Sequence, residues 1–145
     1  MIIQSPIKFG NVDWMMHLHK IRHQRHALAD RASTPEEEMK FINRMIGNDS
    51  KNYHAWSYRQ WVVSSYKLWD QELLDVERLI NEDVRNNSAW NQRYFVVLNR
   101  PSPKLDQTLI EKELTYSLLQ IKKAPNNESP WNFLQGYLEC ALNLT

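Results

Sequence analysis

Three side chains at the head of one motif have the types needed for chemistry: Lys51, Tyr53 and His54, in Lys51–Val63, KNYHAWSYRQWVV. A cation, a phenol and an imidazole gathered where a helix begins can hydrogen-bond an anion, because a helix N-terminus already favours negative charge. The same group also reads as a solvated entrance turn, since helix starts are commonly polar. A second cluster holds His17, His19, His23 and His26, with His19 and His23 four apart and His26 three further on. One helix face could therefore present three imidazoles to a metal. No carboxylate or cysteine sits between them as a fourth ligand, and Lys20, Arg22 and Arg25 would repel a cation. A solvated basic face is the plainer reading, and no metal is assigned to this chain. No nucleophile–base arrangement, glycine-rich phosphate loop or standard metal-ligand spacing occurs, so the chain is not expected to catalyse alone.

The elements that must hold these residues are repeats. Asn52, Ala55, Trp56, Arg59, Val62 and Val63 return 34 residues later as Asn86, Ala89, Trp90, Arg93, Val96 and Val97. A weaker copy follows at Asn127–Leu138, NESPWNFLQGYL, centred on Trp131. A fixed period of this size marks a solenoid of two-helix units. Trp56 and Arg59 share a helix face, as do Trp90 and Arg93. A tryptophan recurring in each unit packs most simply between adjacent hairpins. The arginine then reaches a carbonyl or acidic group of the next unit, or lies against an indole. Asn52 and Asn86 stand where a side-chain amide can cap or bridge. Tyr53 and His54 differ from these residues, because their counterparts one unit on are Asn87 and Ser88. Variation at a constant position suits binding better than stacking.

In chain order, residues 1–20 read as a divergent lead-in and residues 21–145 as the solenoid. A degenerate first repeat spans about 21–33, and hairpin repeats follow at about 34–66, 70–100 and 106–142. Thr34-Pro35-Glu36-Glu37 is a helix start with a capping box, and Met39, Ile42, Met45 and Ile46 share one face up to Gly47. Asp70 is expected to cap the next helix, where Leu73, Val76, Leu79 and Ile80 repeat that face at the same shift. From Trp90 to Trp131 the spacing grows to 41, and the extra residues fall near Asn99–Asp106, NRPSPKLD, a loop by its prolines.

The totals exclude several classes. Three glycines in 145 residues argue for an all-α protein. Eighteen basic against seventeen acidic residues give no strong field for nucleic acid. No apolar run approaches a membrane span and the N-terminus shows no signal pattern. The lone Cys140 fits a reducing cytosol, so a cytoplasmic location is expected.

The three motif stretches, with LWDQELLDVERLINEDVRNNSAWNQRYFVV between them, closely resemble the α subunit shared by protein farnesyltransferase and type I geranylgeranyltransferase. The likeness runs over about Ile21–Leu142 and rests on the repeated N-x-x-x-W-x-x-R signature. It implies a right-handed α-α superhelix wrapping an α-α barrel β subunit, which holds zinc and most of the isoprenoid and C-a-a-X peptide site. Magnesium is a candidate ion for the complex, and no cofactor is expected on this chain. The implied enzyme is a heterodimeric prenyltransferase moving farnesyl or geranylgeranyl from its diphosphate to a C-terminal cysteine, with this chain a subunit inactive alone. The alternative is an interaction-only helical scaffold that binds β or another partner.

By motif position, Tyr53 and His54 match diphosphate-side residues, with Lys51, Asn52, Trp56, Arg59, Asn86, Trp90, Arg93 and Trp131 in support. The family's lysine and tyrosine of the preceding repeat fall in register on His17 and His19, so no role passes to those. The family subunit is longer at both ends, and a truncated form with a foreign Met1–His19 is expected.

Overall fold

A computed structural model describes residues 34–101 and 106–143, and every element in it is a helix or a turn. The six described helices are α1 (Pro35–Asn48), α2 (Tyr53–Tyr66), α3 (Trp69–Glu82), α4 (Asn87–Asn99), α5 (Gln107–Lys123) and α6 (Glu128–Asn143). The fold is all-α, and consecutive helices pair as hairpins: α1 with α2, α3 with α4, and α5 with α6. The lead-in, the degenerate first repeat, the histidine cluster and the centre of the proline loop lie outside the described residues.

The described helices fall into two units, one ending at Lys67 and one beginning at Leu68. In the first, the Thr34 side chain accepts from the Glu37 N–H while Glu37 accepts from the Thr34 N–H, closing the capping box. Pro35 fills a position where a missing N–H costs nothing. Ile42 and Ile46 are buried from α1, and Ala55, Trp56, Tyr58, Val62 and Val63 answer from α2. The second helix is stopped by Lys67, a left-handed residue with φ 56° whose N–H returns to the Val63 carbonyl.

Asp70 does not cap α3. The left-handed turn at Lys67 lets the helix begin at Trp69, so Leu68 takes the cap position without any side-chain bond. Asp70 becomes an acidic first-turn residue, placed to meet the positive end of the helix dipole.

In the second unit α3 packs on α4, α5 on α6, and α6 also on α4. Val76, Ile80, Ala89, Trp90, Tyr94 and Phe133 form one cluster, and Leu73, Phe95 and Val96 form another. This places the second and third hairpins side by side, with aromatic rings between them. Among the described residues no helix is long and apolar enough to cross a membrane.

Candidate functional site

The second helix of each hairpin (α2, α4 and α6) starts from one turn design. The residue closing the preceding helix, Asp49, Asp83 or Ala124, has φ near −146° (−145°, −146° and −147°) and sends its N–H back into that helix. Three residues on, the backbone N–H of Asn52, Asn86 or Asn127 donates to that residue's carbonyl. The asparagine amide oxygen then accepts from the first turn, at Ala55, Ala89 and Ser129 respectively. Each tryptophan indole folds back to donate to a carbonyl six residues earlier: Trp56 to Ser50, Trp90 to Val84 and Trp131 to Pro125. The entrance of each described motif helix is thereby closed by hydrogen bonds within its own hairpin.

On the first of these entrances stand Lys51, Tyr53 and His54, all exposed. Tyr53 is 57% exposed, a large fraction for an aromatic ring in a chain that buries Tyr58 to 2%. The Tyr53 and His54 rings meet edge to face, with centroids 5.8 Å apart. Lys51 is anchored through its N–H on the Asp49 carboxylate at 3.0 Å, while its side chain lies in solvent. At the matching positions of the later hairpins the chain does something else. Ser129, in the place of His54, donates to the amide oxygen of Asn87, in the place of Tyr53, at 3.2 Å, and beside them the Asn127 amide donates to the Val84 carbonyl at 2.6 Å. There the entrance turns are sewn to each other, whereas Tyr53 faces water.

The motif residues face inward. Trp90 is 1% exposed and touches Tyr116 and Phe133 of the third hairpin, at centroid distances of 6.0 and 5.6 Å. Trp56 is likewise buried, with the Arg59 guanidinium 5.8 Å from its ring. Trp131 keeps the indole bond but is 51% exposed, because the described residues include no hairpin beyond α6 to cover it. Both arginines are fully buried: Arg59 donates to Asn43 at 2.6 Å, and Arg93 donates to Glu77 at 3.3 Å and Glu113 at 2.8 Å. The Arg93 Nη2 finds no acceptor, and the guanidinium lies on the Tyr116 ring instead, 3.6 Å from its centroid.

Sequence reading missed the carboxylates that receive these donors. Glu38, Glu72 and Glu113 are all buried, and they stand 34 and then 41 residues apart, in step with the tryptophans. Tyr58 donates to Glu38, Gln92 donates to Glu72, and in the third hairpin, where the matching residue is Phe133, the donor is Arg93. The shift was there to be found. A glutamate among lysines and other glutamates on a helix reads as solvent-facing until its partner is seen.

Burial also governs three phenols in the second unit. Tyr116 is pushed up to about 12, since loss of solvent outweighs the lowering by Arg93 beside it. Tyr94 is raised far above the ordinary phenol range by burial and by its contact with the Cys140 thiol at 3.3 Å. Tyr137 is raised mainly by burial, with Glu113 adding to it. None of these groups could act as a base near neutrality, and among the described residues no three His, Cys, Asp or Glu are gathered as a metal site.

Three segments, residues 35–66, 69–100 and 110–141, each match the protein prenyltransferase alpha subunit repeat. A chain in the solved structure of Candida albicans protein geranylgeranyltransferase-I complexed with GGPP is similar at 35% identity and a TM-score of 0.69. The match covers 87% of this chain and 42% of that one, so this chain spans less than half the length of the relative.

Proposed function

Because the chain belongs to the protein prenyltransferase alpha subunit repeat family, we propose that it serves as the α-side polypeptide of a heterodimeric protein prenyltransferase. Its partner in this reading is a β subunit that carries the zinc and the peptide site. The reaction moves a farnesyl or geranylgeranyl group from its diphosphate to the cysteine of a C-terminal C-a-a-X sequence, and the choice of isoprenoid rests with the partner. The observation carrying this reading is the contrast at the motif entrances. Trp56 and Arg59, within two turns of the site, are buried, while Lys51, Tyr53 and His54 are exposed.

The chemistry asked of them is electrostatic. A leaving diphosphate gains charge as its bond to the isoprenoid breaks, and donors fixed before the reaction stabilise that charge without reorganising. The Tyr53 hydroxyl and the His54 ring N–H would donate to its oxygens, and Lys51 would add a positive charge. The N-terminus of α2 supplies a positive field, with Asn52 locking the first turn. The hydrogen bonds of the entrance turn keep both rings where the charge develops.

The test is co-expression with a family β subunit, copurification, and an assay of isoprenoid transfer to a C-a-a-X peptide. Copurification with transfer supports the proposal. A complex without transfer supports the scaffold reading in its place, and no complex at micromolar concentration removes the transferase reading.

A further inference from the structure

Two polar atoms at the contact between the second and third hairpins are buried without a hydrogen-bond partner in the protein: Arg93 Nη2 and the Tyr116 hydroxyl. Nearly every buried polar group in a folded protein is paired, so two such atoms side by side point to a third participant. They are neighbours, because the Arg93 guanidinium lies 3.6 Å from the centre of the Tyr116 ring. That stacking answers the charge on Arg93 but not the hydroxyl. The guanidinium sits over the ring, the hydroxyl projects from its rim, and no bond joins the two. A polar pair just beyond bonding range is where a bridging molecule belongs.

The surroundings restrict what that molecule is. Arg93 only donates, so the occupant must accept from it, which a metal cation cannot do. Glu77 and Glu113 take the other guanidinium nitrogens, Nη1 at 3.3 Å and Nε at 2.8 Å, and two negative charges against one positive repel an anion. Both carboxylates are close enough to Tyr116 to hold its proton on. The occupant is therefore small, uncharged and able both to accept and to donate, which describes water. Arg93 and Glu113 are closed off, but the Glu77 side chain is 31% exposed and leaves one edge toward solvent. The helix that supplies Tyr116 is also polar where its counterparts are apolar. Ser117 and Gln120 stand in the places of Ile42 and Met45, and of Val76 and Leu79. Both are buried, and Ser117 Oγ and Gln120 Oε1 have no partner in the protein either. Polar atoms kept dry at core positions are costly, and hydration removes that cost.

We propose that an ordered water bridges Arg93 Nη2 to the Tyr116 hydroxyl and is a fixed part of the contact between the second and third hairpins. It accepts from the guanidinium and pairs with the phenol. This site involves neither Tyr53 nor His54 and does not depend on the transferase reading.

A crystal structure of the full chain tests it without any variant. The expected result is a solvent peak at about 2.7–3.2 Å from both atoms. Crystals grown with bromide in place of chloride should give no anomalous signal there. In solution, oxygen-17 relaxation dispersion counts long-lived internal waters. Tyr116→Phe keeps the ring against Arg93 and removes only the hydroxyl, so it should lower that count by about one. Thermal melting checks that the variant folds, and the crystal decides where it does not. No peak, a direct Arg93–Tyr116 bond, a bromide signal, or an unchanged count in a folded variant would each overturn the proposal.

Discussion

Arg93 of the second hairpin and Glu113 of the third form an ion pair at 2.8 Å, and neither residue is more than 1% exposed. Removing one member leaves the other charged and dry. Arg93→Leu should therefore cost about 3–5 kcal/mol. Adding Glu113→Leu should recover much of that loss, since a buried pair and its apolar replacement are often near balance. The chain itself has leucine at the position matching Arg93, namely Leu134. Urea denaturation of the two single variants and the double variant gives the coupling, and additive losses would contradict a direct pair.

The tryptophans separate in the same way. Trp90 is enclosed by Tyr116 and Phe133, so Trp90→Ala should cost roughly 3–5 kcal/mol. Trp131 makes the same indole bond in the open, and Trp131→Ala should cost about 1 kcal/mol or less. Equal losses in denaturation midpoint would mean that the backbone bond, and not enclosure, is what the motif supplies.

Much of this fabric could be read in the sequence because the side chains involved are few in kind and rigidly spaced. Trp56, Trp90 and Trp131 each need a partner carbonyl six residues back, which fixes both the turn and the helix start. Asn52 and Asn86 cap because an amide is needed at that point. Asp70 was misplaced, since a left-handed Lys67 shortens the turn and nothing in the local sequence forces a lysine into that conformation. The buried glutamates escaped notice because their donors change from Tyr58 to Gln92 to Arg93, so no single residue type marks the site from the other side. The exposure of Tyr53 and His54 likewise depends on what packs beside α2, which no local pattern encodes.

Alkaline pH should loosen the second unit. Tyr94, Tyr116 and Tyr137 all hold their protons more tightly in the fold than a free phenol does, chiefly through burial. A raised folded value means that their contribution is complete below about pH 10, the ordinary phenol range, and is lost as pH rises toward the folded values. For Tyr116 the window closes near 12. Urea midpoints should fall on raising the pH through this window, and Tyr116→Phe should fall less steeply. Identical slopes would show that Tyr116 ionises in the fold as freely as in the open chain.

In the proposed function, one short stretch divides its labour: Trp56 and Arg59 hold the hairpin, and Tyr53 and His54 are assigned to the substrate. The most direct measurement is the rate of isoprenoid transfer by the complex of this chain with a β subunit, comparing the unaltered chain with Tyr53→Phe/His54→Asn. The double variant should melt at the unaltered temperature, copurify with β in equal yield, and transfer about a hundredfold more slowly or worse. Transfer at the unaltered rate by a variant that folds and binds would contradict the account.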